Sequence, residues 1–240
     1  MSVLNYGANI SIYYETWGDG FPLLLFAPGG MRSAINFWKR SPWNPIEHLK
    51  SDFRVIAMDQ RNAGRSSAPI NRNDGWHSYT DDHLALLDHL GIKNCHLMGG
   101  CIGGPYCFGL IERAGDRISG AVIQQTIGLD NNRQAFYEMF DSWAVEILKK
   151  DKSINLSVMN QFRSNMYDGE FLFNVDSEFI ANCPVPLLVL MGNDLYHPQS
   201  ISRKIANLAP RAQLLEHWKE PENIVMTIKA VTDFLKNCEK

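Results

Sequence analysis

Short apolar runs alternate with amphipathic stretches along most of the chain. Ile10-Ser11-Ile12-Tyr13-Tyr14-Glu15 follows the turn Gly7-Ala8-Asn9 and predicts a β-strand. After a second turn, Gly18-Asp19-Gly20, the run Leu23-Leu24-Leu25-Phe26 is apolar without a break and ends at Pro28-Gly29-Gly30. Unbroken runs of this length predict strands covered on both faces. Residues 53–58, 95–98, 119–124, 185–191 and 212–215 predict five further strands. Helical spacing marks residues 46–50, 78–90, 105–113, 201–208 and 224–235. In the second of these, Leu84, Leu87 and Leu90 share a face and Gly91 stops the helix.

Residues 131–182 break the alternation. Phe136, Phe140, Trp143 and Ile147, then Met159, Phe162 and Met166, recur at helical spacings with no strand between them. This predicts a small helical lid over 131–182, inserted into a core formed by 1–130 and 183–240. Strands alternating with helices after an opening hairpin imply an α/β fold, a mostly parallel central sheet with helices on both faces.

Composition narrows the setting. A chain of 240 residues with 45% hydrophobic content can build one sizeable core. The net charge of −3 supplies no basic field for nucleic acid or anionic lipid. The longest apolar segments are strand-sized, too short to span a bilayer, and the N-terminus lacks the basic and apolar stretches of a signal peptide. Five cysteines, an odd number without disulfide-framework or zinc spacing, make a reducing cytoplasm the simplest expectation. No histidine–carboxylate spacing suggests a metal and no glycine-rich stretch fits a nucleotide motif, so no cofactor is expected.

The candidate chemistry begins at Gly99-Gly100-Cys101-Ile102-Gly103, where a predicted strand runs into a predicted helix. This is the Gly-x-Ser-x-Gly nucleophile elbow with cysteine in place of serine. A sharp turn pushes the nucleophile out over the sheet edge, and the helix N-terminus behind it favours a thiolate. Cys95 and Cys107 fall in a strand and a helix and read as inert core residues.

With these residues in place, the chain resembles the α/β-hydrolase superfamily, in its esterase, haloperoxidase-like and carbon–carbon hydrolase branch. Asp59-Gln60-Arg61-Asn62-Ala63-Gly64-Arg65-Ser66 is similar to that branch's Asp-x-Arg-Gly-x-Gly-x-Ser loop, with Asn62 replacing a glycine. Leu86-Leu87-Asp88-His89-Leu90-Gly91-Ile92 resembles the helix before the nucleophile strand. The resemblance implies an oxyanion hole made by the amide of Ile102 and one from Gly29, Gly30 or Met31; Pro28 has no N–H to give. Gly192-Asn193-Asp194-Leu195-Tyr196-His197-Pro198 resembles the acid loop Gly-x-x-Asp-x-x-x-Pro, one residue short, and makes Asp194 the candidate acid.

Two histidines compete as base. His217 follows the last predicted strand, as chain order in the family requires, but its loop has no glycine and is short. His197 lies three residues past Asp194 at the carboxyl edge of the sheet. Trp38, Phe140 and Trp143 are candidate substrate contacts. The expected function is hydrolysis of a small ester, lactone or thioester through an acyl-Cys101 intermediate. Acyl transfer is the nearest alternative, and a small-molecule-binding protein without turnover the more distant one.

Overall fold

A computed structural model of the chain describes residues 2–239. Its elements in chain order are β1 (Ser2–Tyr6), β2 (Ile10–Trp17), β3 (Phe21–Phe26), α1 (Pro45–Leu49), β4 (Phe53–Met58), α2 (Trp76–His89), β5 (Cys95–Gly100), α3 (Gly103–Ala114) and β6 (Ile118–Gln124). Three helices follow, α4 (Arg133–Lys150), α5 (Leu156–Tyr167) and α6 (Ser177–Ala181). The chain ends with β7 (Leu187–Leu190), α7 (Gln199–Leu208), β8 (Ala212–Leu215) and α8 (Ile224–Asn237). The eight strands form one sheet in the order β1-β2-β4-β3-β5-β6-β7-β8. Only β2 runs against its neighbours; the pairs from β4–β3 to β7–β8 are parallel.

The unbroken apolar runs have the cause expected of them. Along β3, Leu24 and Phe26 enter the core on one face while Leu23 and Leu25 enter the core on the other. The same division holds for Ile56 and Met58 against Val55 and Ala57 in β4, and for Leu187 and Val189 against Leu188 and Leu190 in β7. With period two and both faces covered, every position must be apolar. α2, α3 and the three helices between β6 and β7 cover the first face; Leu49 of α1 and Val231 and Leu235 of α8 cover the second.

Three boundaries differ from the sequence expectation. The opening hairpin is made by β1 and β2, and the strands flanking Gly18-Asp19-Gly20 do not pair, because β4 lies between them. β1 buries only Leu4 and so carries little hydrophobic signal. β7 starts at Leu187 rather than at residue 185, since Pro184 and Pro186 remove backbone donors from its entrance.

The 59–66 loop is tied to α2 by a buried charge cluster. Arg61 forks onto Asp82 with two contacts of 2.7 Å and reaches Asp74 at 3.6 Å. Tyr6 of β1 also donates to Asp82, and Ser78 donates to Asp74 at 3.0 Å. Asn62 has φ +59°, which explains the replacement of a glycine here: asparagine tolerates the left-handed region best among residues with a side chain. Its Oδ1 accepts from Ala68 N at 2.9 Å.

Removing one partner of a buried ion pair strands the other without compensation. Asp82→Ala is therefore expected to destabilise the fold by about 3–5 kcal/mol, read as a lower urea midpoint at unchanged slope. A loss within the roughly 0.5 kcal/mol typical of surface changes would contradict the assigned role.

Candidate active site

Cys101 leaves β5 at the carboxyl edge of the sheet with φ +59°, a conformation that a residue with a β-carbon adopts only under constraint. The constraint comes from both sides. Its N–H donates to Gln124 O at 3.0 Å, at the end of β6, and its carbonyl accepts from Gly104 N at 3.1 Å and Ile127 N at 3.2 Å. The thiol is half-buried, with the first turn of α3 behind it.

The backbone amides of Gly29 and Ile102 lie beside the sulfur and favour its charged form. Of the three candidates in the loop after β3, Gly29 is the one whose amide lies beside the sulfur, while Gly30 and Met31 begin a single 3₁₀ turn. Gly29 has φ +123°, and a β-carbon there would lie 2.9 Å from the Phe37 ring, so glycine is needed for the approach. The loop is fixed from beneath. Ser33 Oγ donates to Ala27 O at 2.6 Å, Gln60 N donates to Ser33 O at 3.0 Å, and Asp59 Oδ1 accepts from Ile35 N at 2.8 Å.

Asp194 and His197 share one tight turn after β7. Asp194 Oδ1 accepts from the backbone N–H of Tyr196 at 3.0 Å and of His197 at 3.1 Å. The imidazole Nδ1 lies 2.8 Å from the same carboxylate. The turn folds back on Gly192, where a β-carbon would come within 2.5 Å of His197 Cβ and 2.3 Å of its carbonyl oxygen. Asn132, just before α4, pins the turn from above by donating to Leu195 O at 2.7 Å. The buried Nε2 of His197 has no ordinary hydrogen-bond partner among the described residues, and the ring lies close enough to Cys101 to trade charge with it.

The electrostatics follow from this arrangement. Burial opposes the thiolate, but the positive charge of His197 and the nearby amides of Gly29 and Ile102 outweigh that cost and lower the Cys101 pKa. Burial likewise opposes a charged imidazole; the Cys101 sulfur and the Asp194 carboxylate outweigh it and raise His197 to about 10. The His197 hydrogen bond holds Asp194 at about 2. A lowered thiol beside a raised imidazole shifts the pair toward thiolate and imidazolium.

His217 is not brought to the sulfur; it is exposed. The chain leaving β8 turns Trp218 inward instead, fully buried, with its indole N–H donating to Met191 O at 2.8 Å. Lys219 then reaches Asn193 Oδ1 at 2.5 Å, linking this segment to the residue before Asp194. Neither Asn132 nor Lys219 was foreseen, because neither belongs to a motif. Trp38, Phe140 and Trp143 are all fully buried. Trp38 packs over Gly100, while Phe140 and Trp143 meet edge to face at 5.3 Å and both contact Phe162. Trp143 also lines a groove of about 570 Å³ between α4 and the 62–68 loop. No group of side chains suited to a metal ion occurs among the described residues, and no described helix is long and apolar enough to cross a membrane.

Burial pushes Cys95 up to about 12, Cys107 well above the usual thiol range, and Cys183 upward. Limited alkylation at neutral pH, read by peptide mass spectrometry, should therefore modify Cys101 before these three. Earlier labelling of any of them would contradict the thiolate assigned to Cys101.

Comparison with known proteins agrees with this architecture. Residues 22–178 match the family model of the alpha/beta hydrolase fold. A bifunctional esterase/perhydrolase of Acinetobacter calcoaceticus is 24% identical over 256 residues, covering 91% of each chain. A protein of Azorhizobium caulinodans named for carbamate hydrolysis is 33% identical over 121 residues, which span 49% of this chain and 42% of that one. Among solved structures, a meta-cleavage product hydrolase from Pseudomonas fluorescens IP01 superposes with a TM-score of 0.72 at 23% identity, covering 96% of both chains. The enol-lactonase of Burkholderia xenovorans LB400 gives 0.68 at 20% identity over 95% of this chain and 97% of that one. At such identities the structural likeness speaks for the fold, and the family match together with the elbow, the parallel sheet and the acid loop places the chain in the α/β-hydrolase fold family.

Proposed function

We propose that the chain hydrolyses a small ester, lactone or thioester through an acyl-Cys101 intermediate, with His197 as acid and base, Asp194 as its orienting carboxylate, and the amides of Gly29 and Ile102 as the oxyanion hole. The observation that carries this reading is the convergence of the two amides and a carboxylate-held imidazole on one strained cysteine. The activities for which similar proteins are named, an esterase/perhydrolase and an enol-lactonase among them, are compatible with acyl chemistry. The helices of residues 131–182 serve as a lid in this reading, closing over the carboxyl edge of the sheet.

The Cys101 thiolate attacks the carbonyl carbon. The carbonyl electron pair moves to oxygen, which the Gly29 and Ile102 amides stabilise. As the tetrahedral species collapses, the leaving oxygen or sulfur takes a proton from the His197 imidazolium and an acyl thioester remains on Cys101. Neutral His197 then takes a proton from water, whose oxygen attacks the thioester. Collapse releases the acid, with Cys101 leaving as thiolate beside the reformed imidazolium. Asp194 holds the ring orientation and favours its charged form throughout, without itself gaining a proton.

Turnover of a model aryl ester should show a burst that Cys101→Ala abolishes, and the trapped acyl group should map to the Cys101 peptide. His197→Ala should lower turnover by about two orders of magnitude or more, the usual loss of acid–base help. His217→Ala should cost much less, both variants keeping wild-type melting behaviour. A dead His217→Ala beside a near-normal His197→Ala would overturn the assignment of the base. If no ester, lactone or thioester reacts while small apolar ligands raise the melting temperature, the chain binds rather than hydrolyses.

A further inference from the structure

Asn132 stands at the N-cap of α4, where an asparagine side chain ordinarily accepts from the first amides of its own helix. Asn44, Asn155 and Asp176 do so at the starts of α1, α5 and α6. The side chain of Asn132 makes no such bond. It is buried, at 4% exposure, and its Oδ1 accepts from Asp130 N at 2.9 Å, outside the helix. Its Nδ2 donates to Gly128 O at 3.1 Å and to Leu195 O at 2.7 Å. A helix cap is thus forgone for a bond to the turn that carries Asp194 and His197.

Leu195 O and Tyr196 N belong to one planar trans peptide, so they point to opposite sides. Tyr196 N donates to Asp194 Oδ1 at 3.0 Å while Leu195 O accepts from Asn132. The peptide is therefore gripped between Asn132 and the carboxylate that holds the His197 ring at 2.8 Å. Two further contacts join the same segments without this aim. Ser200 Oγ donates to Asp130 Oδ2 at 2.5 Å on the surface, and the Tyr196 ring meets Phe136 of α4 edge-on at 5.5 Å. Neither engages a peptide group of the turn. At its other end α4 reaches the loop that bears the Gly29 amide. Met139 packs on Gly30, where a β-carbon would lie 2.6 Å from its sulfur. Arg32 donates to Ser142 Oγ at 3.1 Å and to Glu146 at 2.8 Å. One helix thus abuts both loops that flank Cys101, and Asn132 is its directional tie on the histidine side.

We propose that Asn132 is a positioning residue for the acid–base pair: it holds the Leu195–Tyr196 peptide from the side opposite Asp194 and so sets the direction in which the carboxylate presents the His197 ring to Cys101. This rests on the reading of His197 as the base that serves Cys101.

The test reads the thiol and needs no substrate. The rate of Cys101 alkylation by iodoacetamide, followed by peptide mass spectrometry from about pH 4 to about pH 10, gives the pH at which the thiolate forms. Asn132→Leu keeps the size and neutrality of the side chain but can neither donate nor accept; Asn132→Ala is the second variant. Each should move the midpoint up by about one unit, a tenfold change in the protonation equilibrium. Ser200→Ala, which cuts the neighbouring tie, should leave the midpoint in place. In a His197→Asn background Asn132→Leu should leave it in place as well, because the ring through which Asn132 acts is gone. The assignment is overturned if an Asn132 variant with native near-ultraviolet circular dichroism keeps the wild-type midpoint, if Ser200→Ala moves it as far, or if the shift persists without His197. It is also overturned if both Asn132 variants lose that native signal, since Asn132 then serves the fold and not the turn. A wild-type midpoint at or above about 8.5 sinks the pairing of Cys101 with His197 and this proposal with it. A low wild-type midpoint that the Asn132 variants share sinks this proposal alone.

Discussion

The 2.8 Å contact between His197 Nδ1 and the Asp194 carboxylate is the interaction on which the site depends. In most triads acid and base arrive from separate loops. Here the candidate acid and the candidate base are three residues apart, so one turn fixes both. The turn closes because its carboxylate accepts two of its own backbone N–H groups and because Gly192 leaves room for His197 to pack against it. Asn132 holds the turn from the α4 side and Ser202 Oγ accepts from Gly192 N at 3.2 Å on the α7 side. The segment after β8 carries the other candidate histidine. That segment turns Trp218 into the core and leaves His217 exposed.

The sulfur is held by the sheet with comparable rigidity. Cys101 keeps a left-handed backbone because β6 and α3 each take one of its peptide groups. The Gly29 amide keeps its aim because the loop bearing it hangs from Asp59 and Gln60, and the next residue, Arg61, is locked onto Asp82 of α2. A buried ion pair adds little stability over an apolar pair, but its directionality fixes the position of the loop. The chain of contacts thus runs from the α2 cluster, through the 59–66 loop, to the Gly29 amide.

The layers of the fold were legible in the sequence because a parallel sheet covered on both faces writes unbroken apolar runs such as Leu23 to Phe26. The elbow was legible because strand, glycines and helix coincide at Cys101. β1 was not, since it buries a single side chain, and the pairing of β2 with β4 leaves no local trace. The motif reading stopped at three possible amides in the loop after β3, because the choice of Gly29 depends on a φ of +123° that no spacing reveals. The placement of His197 beside Cys101 was equally out of reach of chain order, as it rests on the fold-back onto Gly192.

The account stands on an imidazolium that holds Cys101 as thiolate. The direct measurement is a pH titration of thiolate ultraviolet absorbance in the native protein, taken as the difference between wild type and Cys101→Ser. The Cys101 thiolate should persist well below the free-thiol value of about 8.5, and His197→Asn should move the transition back to that value or above it. A wild-type transition at or above about 8.5, or one that His197→Asn leaves in place, would contradict the account.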